Sequence, residues 1–167
     1  MNYEFSRQVN LQSIPQQIEQ FGWTMAYTYG DGSKPDYAYS IGFFETLQCP
    51  EILIYGINRG KCFGTFEYIF ELLSKTKEKF PSFEKNYDIL EDDIPVVFAD
   101  IEFSKAYEYF YYCNCFYEDK TVIYPAMQLI WPDGKGLFPW EANFNLKYKR
   151  QQPLICNFKL KNNKSLQ

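Results

Sequence analysis

Residues 37–57 read YAYSIGFFETLQCPEILIYGI, and this stretch decides the fold. Its second half, the seven residues EILIYGI from Glu51 to Ile57, is an apolar run between Pro50 and Asn58-Arg59-Gly60-Lys61. A run this short is poor helix material, whereas a central strand buried on both faces needs such a continuous aliphatic stretch. The first half, Tyr37 to Glu45, is extended in pattern, and so is Trp23 to Tyr29. The intervening GDGSKP supplies turn chemistry, so the two extended segments read as a hairpin.

Outward from this centre, SIPQQIEQFG predicts a short helix. Ser13 stands at its N-cap, Pro15 in its first turn, Ile14, Ile18 and Phe21 on one face, and Gly22 at its end. Beyond the central strand, Phe63 to Phe80 carries Phe66, Ile69, Phe70, Leu72 and Leu73 at helical spacing, with Pro81 as terminator. IPVVFADIEF predicts another strand, followed by a helix over SKAYEYFYYCNCFY capped by Ser104 and aromatic on nearly every side. A last strong strand is expected from Ala126 to Trp131, closed by the Pro132-Asp133-Gly134 turn, with irregular chain after it. The expected fold is therefore α+β. A single domain over residues 1–150 holds a mainly antiparallel curved sheet, barrel-like if it closes on itself, with two or three packed helices. Residues 151–167 read as a C-terminal tail, partly extended.

Composition narrows the chemistry. Of 167 residues, 16 are Phe, 15 Tyr and 3 Trp, so large rings must fill the core, and buried Tyr and Trp bring hydrogen-bond requirements with them. The chain contains no histidine, which removes imidazole acid–base relays and His-containing metal sites together. A net charge of −4 without blocks of like charge argues against a nucleic-acid partner. The absence of an 18-residue apolar run argues against a membrane span, and the opening MNYEFSRQVN lacks a secretory layout; a cytoplasmic location is the expectation. Five irregularly spaced cysteines read as reduced thiols. Cys113 and Cys115, two apart on a helix, point about 200° from each other and cannot share a metal.

Several short motifs recur in a fixed order: Gly22-Trp23 after the first helix, Tyr39-Ser40-Ile41-Gly42, Pro50-Glu51, Gln128 to Asp133, and Phe138-Pro139-Trp140. In these the chain resembles a bacterial family of unknown function, DUF4262, over residues 22–141. The resemblance implies a family and no activity. It also implies a histidine before the Pro-Glu pair, where this chain has Cys49.

The candidate ligand-binding residues are Tyr39, Ser40, Gly42, Glu51, Gln128, Trp131, Asp133 and Trp140. Gly42 in mid-strand lets a backbone or flat ligand come close, or kinks a curved sheet, while Tyr39 and Ser40 offer hydroxyls. Glu51, at the entrance to an apolar strand, is a carboxyl whose pKa burial can raise, or one that pins a turn. WPDGKGLFPWE can bring Trp131, Asp133, Trp140 and Glu141, two rings and two carboxylates, to one rim able to hold a base or sugar; equally, it can be a turn whose tryptophans cap the core. The leading expectation is a binding module with an aromatic-lined cleft for a small planar, nucleotide-like ligand or a protein partner. Two alternatives stand beside it: a cofactor-dependent enzyme of flavin type, by loose analogy of element order, and an inhibitor or immunity protein in bacterial or phage conflict. The catalytic residues and the cofactor are unknown on this reading, and no metal is expected.

Overall fold

A computed structural model describes residues 9–158. Six strands form one open sheet in the order β1-β2-β3-β6-β5-β4. They are β1 (Thr24–Thr28), β2 (Tyr37–Ile41), β3 (Glu51–Tyr55), β4 (Lys85–Asn86), β5 (Val96–Ile101) and β6 (Ala126–Ile130). All neighbours are antiparallel except β3 and β6, which run parallel with Glu51 opposite Ala126 and Ile54 opposite Leu129. Every residue of β3 and β6 is buried, Glu51 and Gln128 included, as expected of central strands covered on both faces. The sheet does not close into a barrel: β1 and β4 remain its edges.

The described residues also contain six α-helices: α1 (Ile14–Phe21), α2 (Phe43–Leu47), α3 (Arg59–Thr76), α4 (Phe103–Tyr109), α5 (Tyr111–Glu118) and α6 (Lys147–Gln151). Strand alternation sends side chains to both faces of the sheet. On one face Ala38, Ile52, Ile54, Phe98, Met127 and Leu129 meet Phe66, Ile69 and Leu73 of α3. On the other, Tyr39, Ile41, Leu53 and Ile101 meet Ile14 and Ile18 of α1 and Ala106, Cys113 and Tyr117 of α4 and α5.

Four local readings are corrected. Tyr37 to Glu45 is not one extended segment: Gly42 at φ +106 turns the chain out of β2, and the short helix α2 follows. The helix expected over 63–80 begins at Arg59, because the Asn58 side chain accepts a hydrogen bond from the Lys61 N–H at 3.0 Å, and it ends at Lys77 in a left-handed conformation. Ser104 lies inside its helix rather than capping it, and Phe110 (φ −99, ψ 53) breaks the aromatic helix into α4 and α5. That break lets Ala106, Phe110, Cys113 and Tyr117 face the sheet together. In α1, Ile14 and Ile18 are buried but Phe21 is 54% exposed.

Residues 152–157 cross the sheet after α6. Gln152 and Ile155 are buried, and the Asn157 N–H donates to the Asp100 carbonyl at 2.6 Å.

Candidate functional site

Two of the candidate residues, Ser40 and Gly42, converge on the buried carboxyl of a third, Glu51. Glu51 is fully buried at the start of β3. Its Oε2 accepts from the Ser40 hydroxyl at 2.5 Å, and its Oε1 accepts from the Gly42 N–H at 2.8 Å, the Phe44 N–H at 3.1 Å and the Tyr117 hydroxyl at 2.5 Å. The two N–H groups are orphan donors at the amino end of α2, and a glutamate one strand away satisfies them. Tyr117 Oη accepts in turn from the Glu45 N–H, and Ser40 Oγ from the Ile52 N–H, so the network ties β2, α2, β3 and α5 together. Burial pushes the Glu51 carboxyl above its ordinary range, while the four donors pull it back. All four partners are neutral, so no ion pair offsets the cost of a charge there.

Tyr39 lies beneath this network, fully buried, its hydroxyl accepting from the Tyr112 N–H at 3.1 Å. Gln128 faces the same side of the sheet and holds residues 153 and 155 through its side-chain amide. Asp133 closes its own turn: Oδ1 accepts from Lys135 and Leu137 N–H and Oδ2 from Asn145 N–H. Burial would raise its pKa, but these backbone donors outweigh it and hold the carboxyl below the usual range.

The two tryptophans do not share a rim. Met127 and Leu129 put the odd-numbered side chains of β6 on the α3 face, and Trp131 continues that side, half-buried against the α3 core. Trp140 belongs to the opposite face, stacked on Phe138 at 5.2 Å with Ile130 and Val97 beneath. Glu51 is remote from Trp131 as well. It sits opposite Ala126, five residues before Trp131, which is roughly 16 Å along a strand at about 3.3 Å per residue. Glycine also has a mechanical task here: a Cβ on Gly42 would lie 2.9 Å from the Gly22 carbonyl, so the close approach is by backbone.

A cleft of about 820 Å³ opens at the carboxyl ends of β3 and β6, beside the start of α3. Gly56, Lys61, Tyr68, Glu91 and Trp131 are among its lining residues. Carboxyl ends of parallel strands are where sheets flanked by helices leave a crevice, because the chain there turns away into the next helix. The Trp131 indole is fixed in this cleft by its Nε1–H, which donates to the Tyr55 carbonyl at 2.9 Å. Sequence spacing concealed other lining residues of the cleft, Tyr68 within α3 and the acidic segment at Asp88 to Asp92, which shows in the sequence only as a polar stretch after a helix. A second groove of about 580 Å³ lies between α1, α2 and α5, lined by Ile14, Ile18, Glu45 and Phe116.

Burial withdraws Cys49, Cys62, Cys113 and Cys156 from this chemistry. Burial pushes Cys62 up to about 12 and Cys156 up to about 11, and raises Cys49 and Cys113 too. Cys113 donates its S–H to the Ser40 carbonyl at 3.2 Å. Iodoacetamide at pH 8 is therefore expected to label Cys49, Cys62 and Cys113 in the native protein at least tenfold more slowly than in urea, as read by peptide mass spectrometry. Among the described residues, no group of three or more His, Cys, Asp or Glu side chains is placed to hold a metal, and no helix is long and apolar enough to cross a membrane.

No curated protein and no solved structure matches the chain. A family model described as a domain of unknown function, DUF4262, matches residues 17–145, which run from the α1 turn before Trp23, through the Glu51 network and both parallel strands, to the Asp133 turn. By that match the chain belongs to the DUF4262 family.

Proposed function

We propose that the protein is a binding module whose cleft at the carboxyl ends of β3 and β6 takes a small planar ligand against Trp131. The observation that carries this reading is the half-buried indole lining an 820 Å³ cleft with its ring nitrogen already bonded to Tyr55. A ring held at its polar edge keeps its apolar surface for stacking, and little side-chain entropy is left to lose when a ligand arrives. The volume suits a nucleoside-sized molecule. Lys61 on one side and Asp88, Glu91 and Asp92 on the other offer both donor and acceptor groups at the rim. Binding rather than turnover is favoured because the buried reactive groups are otherwise engaged: Glu51 is surrounded by donors to structural elements, and the buried thiols are held protonated.

The test is a panel of adenosine, guanosine, their 5′-monophosphates and FMN, read by saturable quenching of tryptophan fluorescence and by thermal shift. A ligand at a hundred times its Kd stabilises the folded state by about 2.7 kcal/mol, which moves Tm by several degrees. The wild type is expected to bind at least one member. Trp131→Ala should lose that binding at least tenfold, while Trp140→Ala, on the opposite face, should retain it. Binding that survives Trp131→Ala, or a panel in which nothing binds, removes this reading; FMN binding with turnover would favour the flavin-type alternative.

A further inference from the structure

The sequence places two glutamines, Gln128 in β6 and Gln152 just before Pro153, with nothing in their spacing to join them. Both are buried, at 0% and 1% exposure. A buried primary amide is costly unless its oxygen and nitrogen both find partners. Each of these finds both on the other's stretch of chain. Gln152 Oε1 accepts from the Trp131 N–H at 2.8 Å, and its Nε2 donates to the Trp131 carbonyl at 2.8 Å. Gln128 Nε2 donates to the Pro153 carbonyl at 2.8 Å, and its Oε1 accepts from the Ile155 N–H at 2.9 Å. A side chain that exchanges both hydrogen bonds with one residue's backbone does the work of a neighbouring strand. Gln152 does this for Trp131, one residue beyond the end of β6.

Two further contacts bring the same segment to the indole. Tyr148 of α6 stands edge-on to the Trp131 ring at 5.8 Å. The Gln151 carbonyl closes over Gly56, where a Cβ would lie 2.6 Å from that oxygen and 3.1 Å from Trp131 Cζ2. The Trp131 backbone is therefore held by Gln152, its ring by Tyr148 and by the core it packs against, and its Nε1–H by Tyr55 of the sheet.

We propose that Gln152 is the positioning residue of the Trp131 cleft, and that residues 152–157 form a strap whose docking sets the pose of the indole. This rests on the reading of that cleft as the binding site, and it adds a regulatory consequence: anything that lifts the strap, such as a partner that captures residues 152–157, unmakes the cleft. Gln152 needs no contact with the ligand. It acts through Trp131, and Gln128 holds the strap from the other side.

The experiment follows the three tryptophan indole N–H signals in ¹⁵N-labelled protein, assigned by single Trp→Phe variants. In Gln152→Ala, hydrogen exchange at the Trp131 indole is expected to accelerate at least tenfold, with Trp23 and Trp140 unchanged. Gln128→Ala should accelerate both the Ile155 amide and the Trp131 indole. The affinity of whichever panel molecule the wild type binds, adenosine, guanosine, AMP, GMP or FMN, should fall at least tenfold in Gln152→Ala. If the Ile155 amide loosens while the Trp131 indole keeps its wild-type protection, the strap does not set the cleft and the proposal is overturned. If the indole responds but no panel molecule binds the wild type, positioning stands and the ligand reading fails. Should Gln152→Ala not fold, native-state exchange of the wild type decides. The Ile155 amide and the Trp131 indole must then open with the same dependence on denaturant, and independent opening overturns the proposal.

Discussion

Glu51→Leu is expected to lower the unfolding free energy by about 4 kcal/mol or more, measured by urea denaturation at neutral pH. Leucine is close in size, so the effect does not come from a cavity. It comes from four donors that lose their acceptor: the Ser40 and Tyr117 hydroxyls and the Gly42 and Phe44 N–H groups. Each buried donor left unpaired costs about 1–3 kcal/mol, against a total stability of about 5–15 kcal/mol for a domain of ordinary size. Glu51→Gln should behave differently. Its oxygen keeps the three donors on the Oε1 side, and its nitrogen donates to Ser40 Oγ, which mimics the protonated acid. The pH dependence gives the sign. Because burial raises the folded-state pKa of Glu51 above the ordinary 4.5, the folded protein binds more protons than the unfolded chain between those two values. The wild type therefore loses stability relative to Glu51→Gln as pH rises from 4.5 toward the raised pKa, and the difference is constant below that window. A wild type that gains on Glu51→Gln as pH rises would show that the donors outweigh burial and that the carboxylate is the preferred form.

Gly42→Ala is the second large effect, about 3 kcal/mol destabilising by the same measurement. The residue sits at φ +106, ψ −5, which L-residues rarely adopt, and such strain costs about 1–3 kcal/mol by itself. The added methyl would also meet the Gly22 carbonyl at 2.9 Å and Ile18 Cγ1 at 3.0 Å, neither of which is a flexible side-chain end. Relief by moving the backbone would pull the Gly42 N–H away from Glu51, so the two predictions should be less than additive in the double variant. Gly64→Ala is the matched control. That glycine lies in α3 with open space around its Cβ position, and alanine there should stabilise by about 0.5–1 kcal/mol.

These two residues show how far a local reading reaches. Gly42 and Glu51 stand out in the sequence because a glycine inside a strand pattern and a carboxyl at the start of an apolar run both break local rules. Either break is compatible with a ligand or with a structural partner, and the pattern itself does not choose. The structure supplies the partners: the Gly22 carbonyl approaches Gly42, and Tyr117, 66 residues from Glu51, donates to it. The aromatic motif at Trp131 to Trp140 misleads for a related reason. A tight turn joins the two rings in sequence, but strand alternation and the chain's return put one on each face of the sheet, so nearness along the chain becomes separation through a layer.

By itself the sequence determined that strands lie within Glu51–Ile57, Ile94–Phe103 and Ala126–Trp131, and it determined the hairpin of β1 and β2, the first helix, the α+β class and the ordered family motifs. Each of these follows from periodicity or turn chemistry within about a dozen residues, where side-chain pattern and backbone geometry are directly coupled. Only the tertiary structure decided that β3 and β6 lie side by side and parallel, that Glu51 is enclosed by neutral donors, and that Gln152 grips Trp131 while Gln128 grips the returning chain. Those arrangements depend on which distant segments become neighbours, and a polar side chain in a sequence carries no mark of which buried backbone group will complete its hydrogen bonds.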